Sequence, residues 1–307
     1  MSLSINFITG DAGEKVIATF AALNSTVPPM SVIIFTVVIL FGSYFAGLLG
    51  SLTGLGGGFI IIPLLTLVLH VNLQYAIGAS LVSVIATSSG SAAAYVREGI
   101  TNIRLGMFLE IATTAGAFTG AVVAIYISTQ LIAVLFGFIL LFSAIMSLRN
   151  KAEHIVKEKT FLARKLKLDG NYPVNDELVE YGVSNIAGGF FMMVFAGIIS
   201  GLLGIGSGAL KVVAMDGIMR IPFKVSTTTS NFMIGVTAAA SAVVYLQRGY
   251  IHPGLAMPVM IGVLLGAATG SKILVHTTSS QRLRWVFAIV ITVIAIQMIY
   301  NGIQGKI

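Results

Sequence analysis

The sequence predicts an all-α polytopic membrane protein built from two inverted repeats of about five transmembrane segments each, with glycine-broken helices at the repeat interface. Three observations carry this. The 307 residues are 56% hydrophobic and 9% charged, against about 25% charged in soluble domains, and the mean hydropathy is +0.97. Apolar segments follow one another through most of the chain, without the two-residue alternation of a membrane barrel. A glycine-rich stretch in the first half returns in the second at a fixed distance.

That stretch, Phe45 to Gly58, reads FAGLLGSLTGLGGG, and Phe195 to Gly208 reads FAGIISGLLGIGSG, an offset of 150 residues. The offset then holds without a gap. Ser80 matches Ser230, Thr87 matches Thr237, Tyr95 matches Tyr245, Gly99 matches Gly249, and Gly116 and Gly120 match Gly266 and Gly270. Glycine costs a helix about 1 kcal/mol relative to alanine. Clusters this dense break the helix, and broken backbone at membrane depth is tolerated only where protein covers it or it lines a cavity. Paired interruptions in two halves point to the binding site of a secondary transporter. The bland reading is that the glycines only let helices pack closely.

Residues 1–30 carry Asp11 and Glu14 without a basic leader, so they read as an external or interfacial lead-in ending at Pro28-Pro29 and not as a cleaved signal peptide. The first repeat, 31–148, holds apolar segments at about 31–53, 57–72, 76–96, 104–127 and 130–148. A polar linker follows at 149–182. The second repeat, 183–303, holds segments at about 184–203, 207–219, 227–246, 254–275 and 284–303, and a short tail, 304–307, ends the chain. The segments starting near 57 and 207 are short enough to be half-helices or re-entrant. Basic residues concentrate on the cytoplasmic side of membrane proteins. With the linker inside, five crossings per half place fourteen lysines and arginines inside and three outside, whereas four crossings give twelve and five. Five per half makes the repeats inverted, with both termini outside. The net charge of +7 is explained the same way and does not indicate nucleic-acid binding.

The candidate site residues cluster around the two interruptions. Ser80, Ser83, Thr87 and Ser91 recur at helical spacing on one face. Ser230, Thr237 and Ser241 repeat the pattern, with Thr227, Thr228 and Thr229 before them and Asn231 beside Ser230. Helix starts carry free N–H groups and partial positive charge, and two of them facing one another suit a small anion. The expected contacts are Gly56, Gly57, Gly58, Ser80, Ser83 and Thr87 from the first half. From the second they are Gly206, Ser207, Gly208, Lys211, Ser230 and Asn231. Ser91 and Ser241, farther along, are expected only to join helices.

Lys211 stands among Leu210, Val212 and Val213, where the first half has Ile61. A charge in that setting is costly and usually functional, here to neutralise an anion. The alternatives are a pair with Asp216 or snorkelling to an interface. Glu110 is expected to pair with Arg104 or Arg97; otherwise it and Asp216 are the candidates for proton coupling.

No cofactor or metal is expected. There are no cysteines, and His70, His154, His252 and His276 are scattered without ligand spacing. The glycine stretches lack the lysine-serine/threonine ending of a phosphate loop. The expected partners are a small anionic substrate and the lipid bilayer, with no nucleic acid. The small-xxx-small faces at Gly116–Gly120 and Gly262–Gly270 serve within the chain or between copies alike.

Gly50 to Leu65, GSLTGLGGGFIIIPLL, resembles the signature of the TauE/SafE family of sulfite and organosulfonate exporters. Gly201 to Gly208, followed by Lys224 to Phe232, is similar to that family's second half. Two departures stand out: Ser207 replaces a common third glycine, and Val213 stands where the first copy has Pro63. The resemblance covers nearly all of 31–303. It implies a cell-membrane permease that exports sulfite, sulfoacetate or a related sulfonate; the two broken-helix repeats suggest alternating access as the mechanism. The residues themselves leave open import, another anion, or a non-transport role as an enzyme or accessory subunit. An inside-negative potential favours anion exit by about 2.3 kcal/mol per charge per 100 mV.

Overall fold

A computed structural model describes residues 32–53, 56–97, 99–148, 161–174, 177–276 and 281–307. The lead-in, Gly54 and Leu55 of the first glycine cluster, and the basic first part of the linker lie outside the described residues.

The described residues are helical almost throughout. The first half contains α1 (Val32–Thr53), α2 (Gly58–Pro63, continued as a π-helical turn Leu64–Val68), α3 (Leu73–Arg97), α4 (Ile103–Ala124) and α5 (Thr129–Leu148). A short α6 (Phe161–Leu166) and a hairpin, β1 (Gly170–Val174) and β2 (Glu177–Tyr181), follow. The second half repeats the first: α7 (Ile186–Leu203), α8 (Gly208–Val212, continued as π-helical Val213–Ile218), α9 (Phe223–Gln247), α10 (Pro253–His276) and α11 (Gln281–Ile303).

Among the described residues, seven helices are long and apolar enough to cross a membrane: α1, α3, α4, α5, α7, α9 and α10. Their outer faces carry exposed Phe41, Phe118, Ile145, Phe191 and Leu265, the surface a lipid-facing helix presents. The Gly58–Val68 segment rises about 16 Å at 1.5 Å per residue, half the hydrocarbon thickness. It is a half-helix, and Gly208–Ile218 is its counterpart. Both widen to π geometry at the same place. Pro63 sits at that junction in one and Val213 in the other, so the widening does not depend on proline.

Close packing follows the glycines. A Cβ on Gly116 or Gly120 of α4 would lie 2.3 or 2.1 Å from the carbonyl oxygens of Val194 and Ile198 in α7. A Cβ on Gly266 or Gly270 of α10 would lie 2.0 or 2.7 Å from the carbonyls of Tyr44 and Leu48 in α1. These contacts are the same ones shifted by 150 residues. Tyr95 and Tyr245 repeat the correspondence, their hydroxyls donating to the carbonyls of Ser51 and Gly201 at 3.4 Å. So α1 is held by α10 and α4 by α7: each backbone-to-backbone seam joins one half to the other.

Chain direction can be read from the same contacts. Gly78 near the start of α3 meets Tyr250 just past α9, while Asn102, beyond the end of α3, bonds Thr229 near the start of α9; α3 and α9 are antiparallel. Gly137 of α5 meets Ala295 and Ile299 of α11, and Gly302 of α11 meets Gln130 and Ala133, so this pair is antiparallel too. In both pairs, helices at equivalent sequence positions run in opposite directions.

The linker contains structure that its composition did not suggest. β1 and β2 pair antiparallel from Gly170 with Tyr181 to Val174 with Glu177. Tyr172 and Tyr181 are buried with their rings edge to face. Asn102 caps α4 by accepting from the Leu105 N–H at 3.0 Å, and its amide donates to the Leu168 carbonyl and the Tyr181 hydroxyl, each at 2.8 Å. Its own N–H donates to Thr229 Oγ1 at 3.1 Å. One asparagine therefore ties the hairpin to the starts of α4 and α9. Burial pushes the Tyr181 phenol up to about 12, so this clasp is made with the neutral hydroxyl.

Candidate functional site

The two interruptions meet. Gly56 and Gly206 both adopt left-handed backbone, with φ of 82° and 71°, which glycine accepts without strain. The nearest side chains to both are Val84 of α3 and Ile234 of α9, themselves 150 residues apart. Loops from the two halves thus close over a single pair of apolar side chains near the middle of the long helices. A Cβ on Gly58 would lie 2.6 Å from Ser80 Oγ and 2.9 Å from Val84, so a side chain there would have to displace both. Gly57 faces Ala46 and Thr87.

The predicted hydroxyls line this junction and are buried. Ser80 Oγ donates to the Gly204 carbonyl at 2.8 Å, crossing from the first half to the second half's loop. Ser230 Oγ donates to the Gly208 carbonyl at 3.3 Å. Ser83 and Thr87 bond carbonyls of their own helix, those of Ser80 and Ser83. Ser91 and Ser241 likewise bond the carbonyls of Thr87 and Thr237 one turn back. In this state these protons are taken by backbone oxygens. Two polar atoms at the second interruption are buried without a hydrogen-bond partner: Ser207 Oγ, on a residue with φ of 47°, and Asn231 Nδ2.

Sequence reasoning missed Ser88. Its hydroxyl donates to the Asn231 carbonyl and accepts from the Gly235 N–H at 3.0 Å, joining α3 to α9. It lies one residue off the hydroxyl stripe, and only the run Thr87-Ser88-Ser89 hinted at it.

Lys211, in the first turn of α8, is fully buried. Its partner is neither Asp216 nor solvent. The ammonium donates to Thr237 Oγ1, which donates to Glu110 Oε1 at 2.6 Å. Lys211 Nζ lies 4.0 Å from Glu110 Oε2. Thr114 also donates to Oε1, at 3.1 Å, while Oε2 has no hydrogen-bond partner. The expected pairing of Glu110 with Arg104 is corrected accordingly, since Arg104 is exposed at the start of α4 and Glu110 is buried. Asp216 is half-buried on the π-helical continuation of α8. Among the described residues no group of three potential metal ligands comes together.

The profile of the family described as "Sulfite exporter TauE/SafE" matches residues 19–298. The chain belongs to the TauE/SafE family. Curated TauE/SafE-like relatives agree over most of its length. "Probable membrane transporter protein YunE" of Bacillus subtilis (strain 168) is 31% identical over 88% of this chain and 98% of its own. "Probable membrane transporter protein YdhB" of the same organism is 26% identical over 75% and 86%. An archaeal protein, "Probable membrane transporter protein MJ0441" of Methanocaldococcus jannaschii, is 24% identical over 75% and 83%. No solved structure matches the chain. The seven apolar helices make this TauE/SafE member a multi-pass integral membrane protein.

Proposed function

We propose that the chain is a secondary transporter that exports a small sulfur-containing anion, such as sulfite, sulfoacetate or a related organosulfonate, by alternating access. The observation that carries the reading is the meeting of two broken-helix loops over Val84 and Ile234, beside a buried lysine and two buried polar atoms without partners, Ser207 Oγ and Asn231 Nδ2. Positive charge and unspent donors at membrane depth suit an anion. The family supports sulfur and the outward direction. The relatives named as transporters support a carrier rather than an enzyme.

We read the halves as inverted repeats, supported by the opposite directions of α3 and α9 and of α5 and α11. The moving bodies are then not the two sequence halves. Backbone seams join α1 to α10 and α4 to α7, so each body takes helices from both repeats, and Val84 and Ile234 lie where the bodies meet.

Direct binding to purified protein tests this with sulfite, sulfate, thiosulfate, taurine, sulfoacetate and acetate. We expect one sulfur anion to bind, with affinity lowered at least tenfold by Asn231→Leu, which installs the residue found at Leu81. Binding that survives both Asn231→Leu and Lys211→Ala moves the site to the first half. Failure of every sulfur anion removes the sulfur assignment.

A further inference from the structure

We propose that Glu110 is the chain's own stand-in for substrate on Lys211, and that each anion enters the site with one proton, taken up by Glu110. The inference rests on the reading that Lys211 faces the transported anion.

The pair is not a requirement of the fold. At the positions related by the 150-residue offset the chain has Ile61 for Lys211, Thr87 for Thr237 and Met260 for Glu110, so the counterpart of this contact is built without charge. A buried ion pair contributes little net stability relative to apolar residues of similar size. An ion pair present in one copy, where the other copy is apolar, calls for a function.

Its geometry suits displacement. Lys211 and Glu110 share no direct hydrogen bond. Thr237 stands between them, accepting from the ammonium and donating to Oε1. Oε2, at 4.0 Å from Nζ, accepts from no group. Thr114 and Thr237 hold Oε1, so a proton arriving from solvent is placed on Oε2. The carboxyl becomes neutral, and an anion takes the place of the carboxylate beside the Lys211 ammonium. No bond other than O–H is formed, and with one proton on Glu110 the charge of the site is unchanged when the anion is monovalent.

Among the described residues, the elements packed against the pair bring few other ionisable groups. α7, packed along α4, has no titratable side chain, and α9 has only Lys224, exposed at its start, and Tyr245, bonded to the carbonyls of Gly201 and Leu202. The other ionisable residue of the half-helix is Asp216, five positions beyond Lys211. Arg104 on α4 is exposed, and the hairpin reaches α4 through Tyr181 at Asn102, two turns before Glu110.

One consequence concerns the driving force. A monovalent anion accompanied by a proton carries no net charge, so its movement follows the anion and proton gradients and not the membrane potential.

The test uses anions whose charge is fixed across neutral pH: methanesulfonate, sulfate and thiosulfate. Calorimetric binding to the purified full chain in buffers of different ionisation enthalpy counts protons taken up. In wild type we expect about one proton per anion, and affinity that falls as pH rises. Glu110→Gln should bind at least as tightly, with a flat pH profile and no proton uptake. Wild-type binding with no proton uptake overturns the inference whatever the variant does. So does a Glu110→Gln protein that still takes up a proton. Either result leaves the anion site standing. Binding that is unchanged in Lys211→Ile, or no binding by any of the three, removes the site reading and the inference with it.

Discussion

Lys211→Ile should destabilise the folded protein by about 3–5 kcal/mol, the cost of removing one partner from a buried ion pair. Lys211→Ile/Glu110→Met should recover most of that loss. The double variant places at both positions the residues the chain already carries at the positions 150 residues away, Ile61 and Met260, in surroundings that fold around them. In the single variant Glu110, 8% exposed, is left without its cationic partner, with only the hydroxyls of Thr114 and Thr237 bonded to it. Thermal or denaturant unfolding in detergent, with the two singles and the double, gives the coupling directly. The double variant should be stable and inactive in transport. A double variant no more stable than the single would mean that the pair holds the fold together, against the reading given above.

Gly266→Ala and Gly201→Ala should each destabilise by about 3 kcal/mol, even though alanine favours a helix over glycine by about 1 kcal/mol. The added carbon would sit 2.0 Å from a backbone carbonyl, that of Tyr44 in one case and Ala117 in the other. A backbone oxygen inside a helix cannot rotate away, so the helices must separate along the seam. Gly249→Ala provides the contrast. It has φ of 74° but nothing within 4 Å of the new carbon, so only the left-handed backbone is penalised, by about 1–2 kcal/mol. If Gly266→Ala proves milder than Gly249→Ala, α1 and α10 are not in backbone contact.

Much of the architecture was legible because hydropathy and glycine spacing are local. The segment predicted at about 31–53 is α1 at Val32–Thr53, and the short segment at 207–219 is the half-helix Gly208–Ile218. The repeat was legible because an ungapped shift preserves both sides of every contact: Gly116 with Val194 and Gly266 with Tyr44 are one contact written twice. Lys211 stood out as a charge in apolar sequence. Its partner did not, because α4 and α8 meet only after the whole bundle closes, and Arg104 lay nearer along the chain. The hairpin was hidden for a different reason. Tyr172 and Tyr181 bury themselves against each other and Asn102, but the surrounding residues are those of a polar linker, in which two inward tyrosines leave little pattern. Asn231 was singled out as a hydroxyl neighbour, whereas its amide, buried without a partner, becomes visible only with the packing known.

The two backbone seams also set the order in which the molecule can be made. α1 leaves the ribosome long before α10, the helix whose glycines cover its carbonyl ridge. α4 waits for α7 in the same way. The first half therefore enters the bilayer with its two closest-packing surfaces facing lipid or insertion machinery, and it gains neither seam until the second half arrives. Biogenesis of this protein is thus a problem of holding one half open for the other. The glycine faces that make the finished bundle so tight are the ones a nascent chain must keep from pairing with the wrong neighbour.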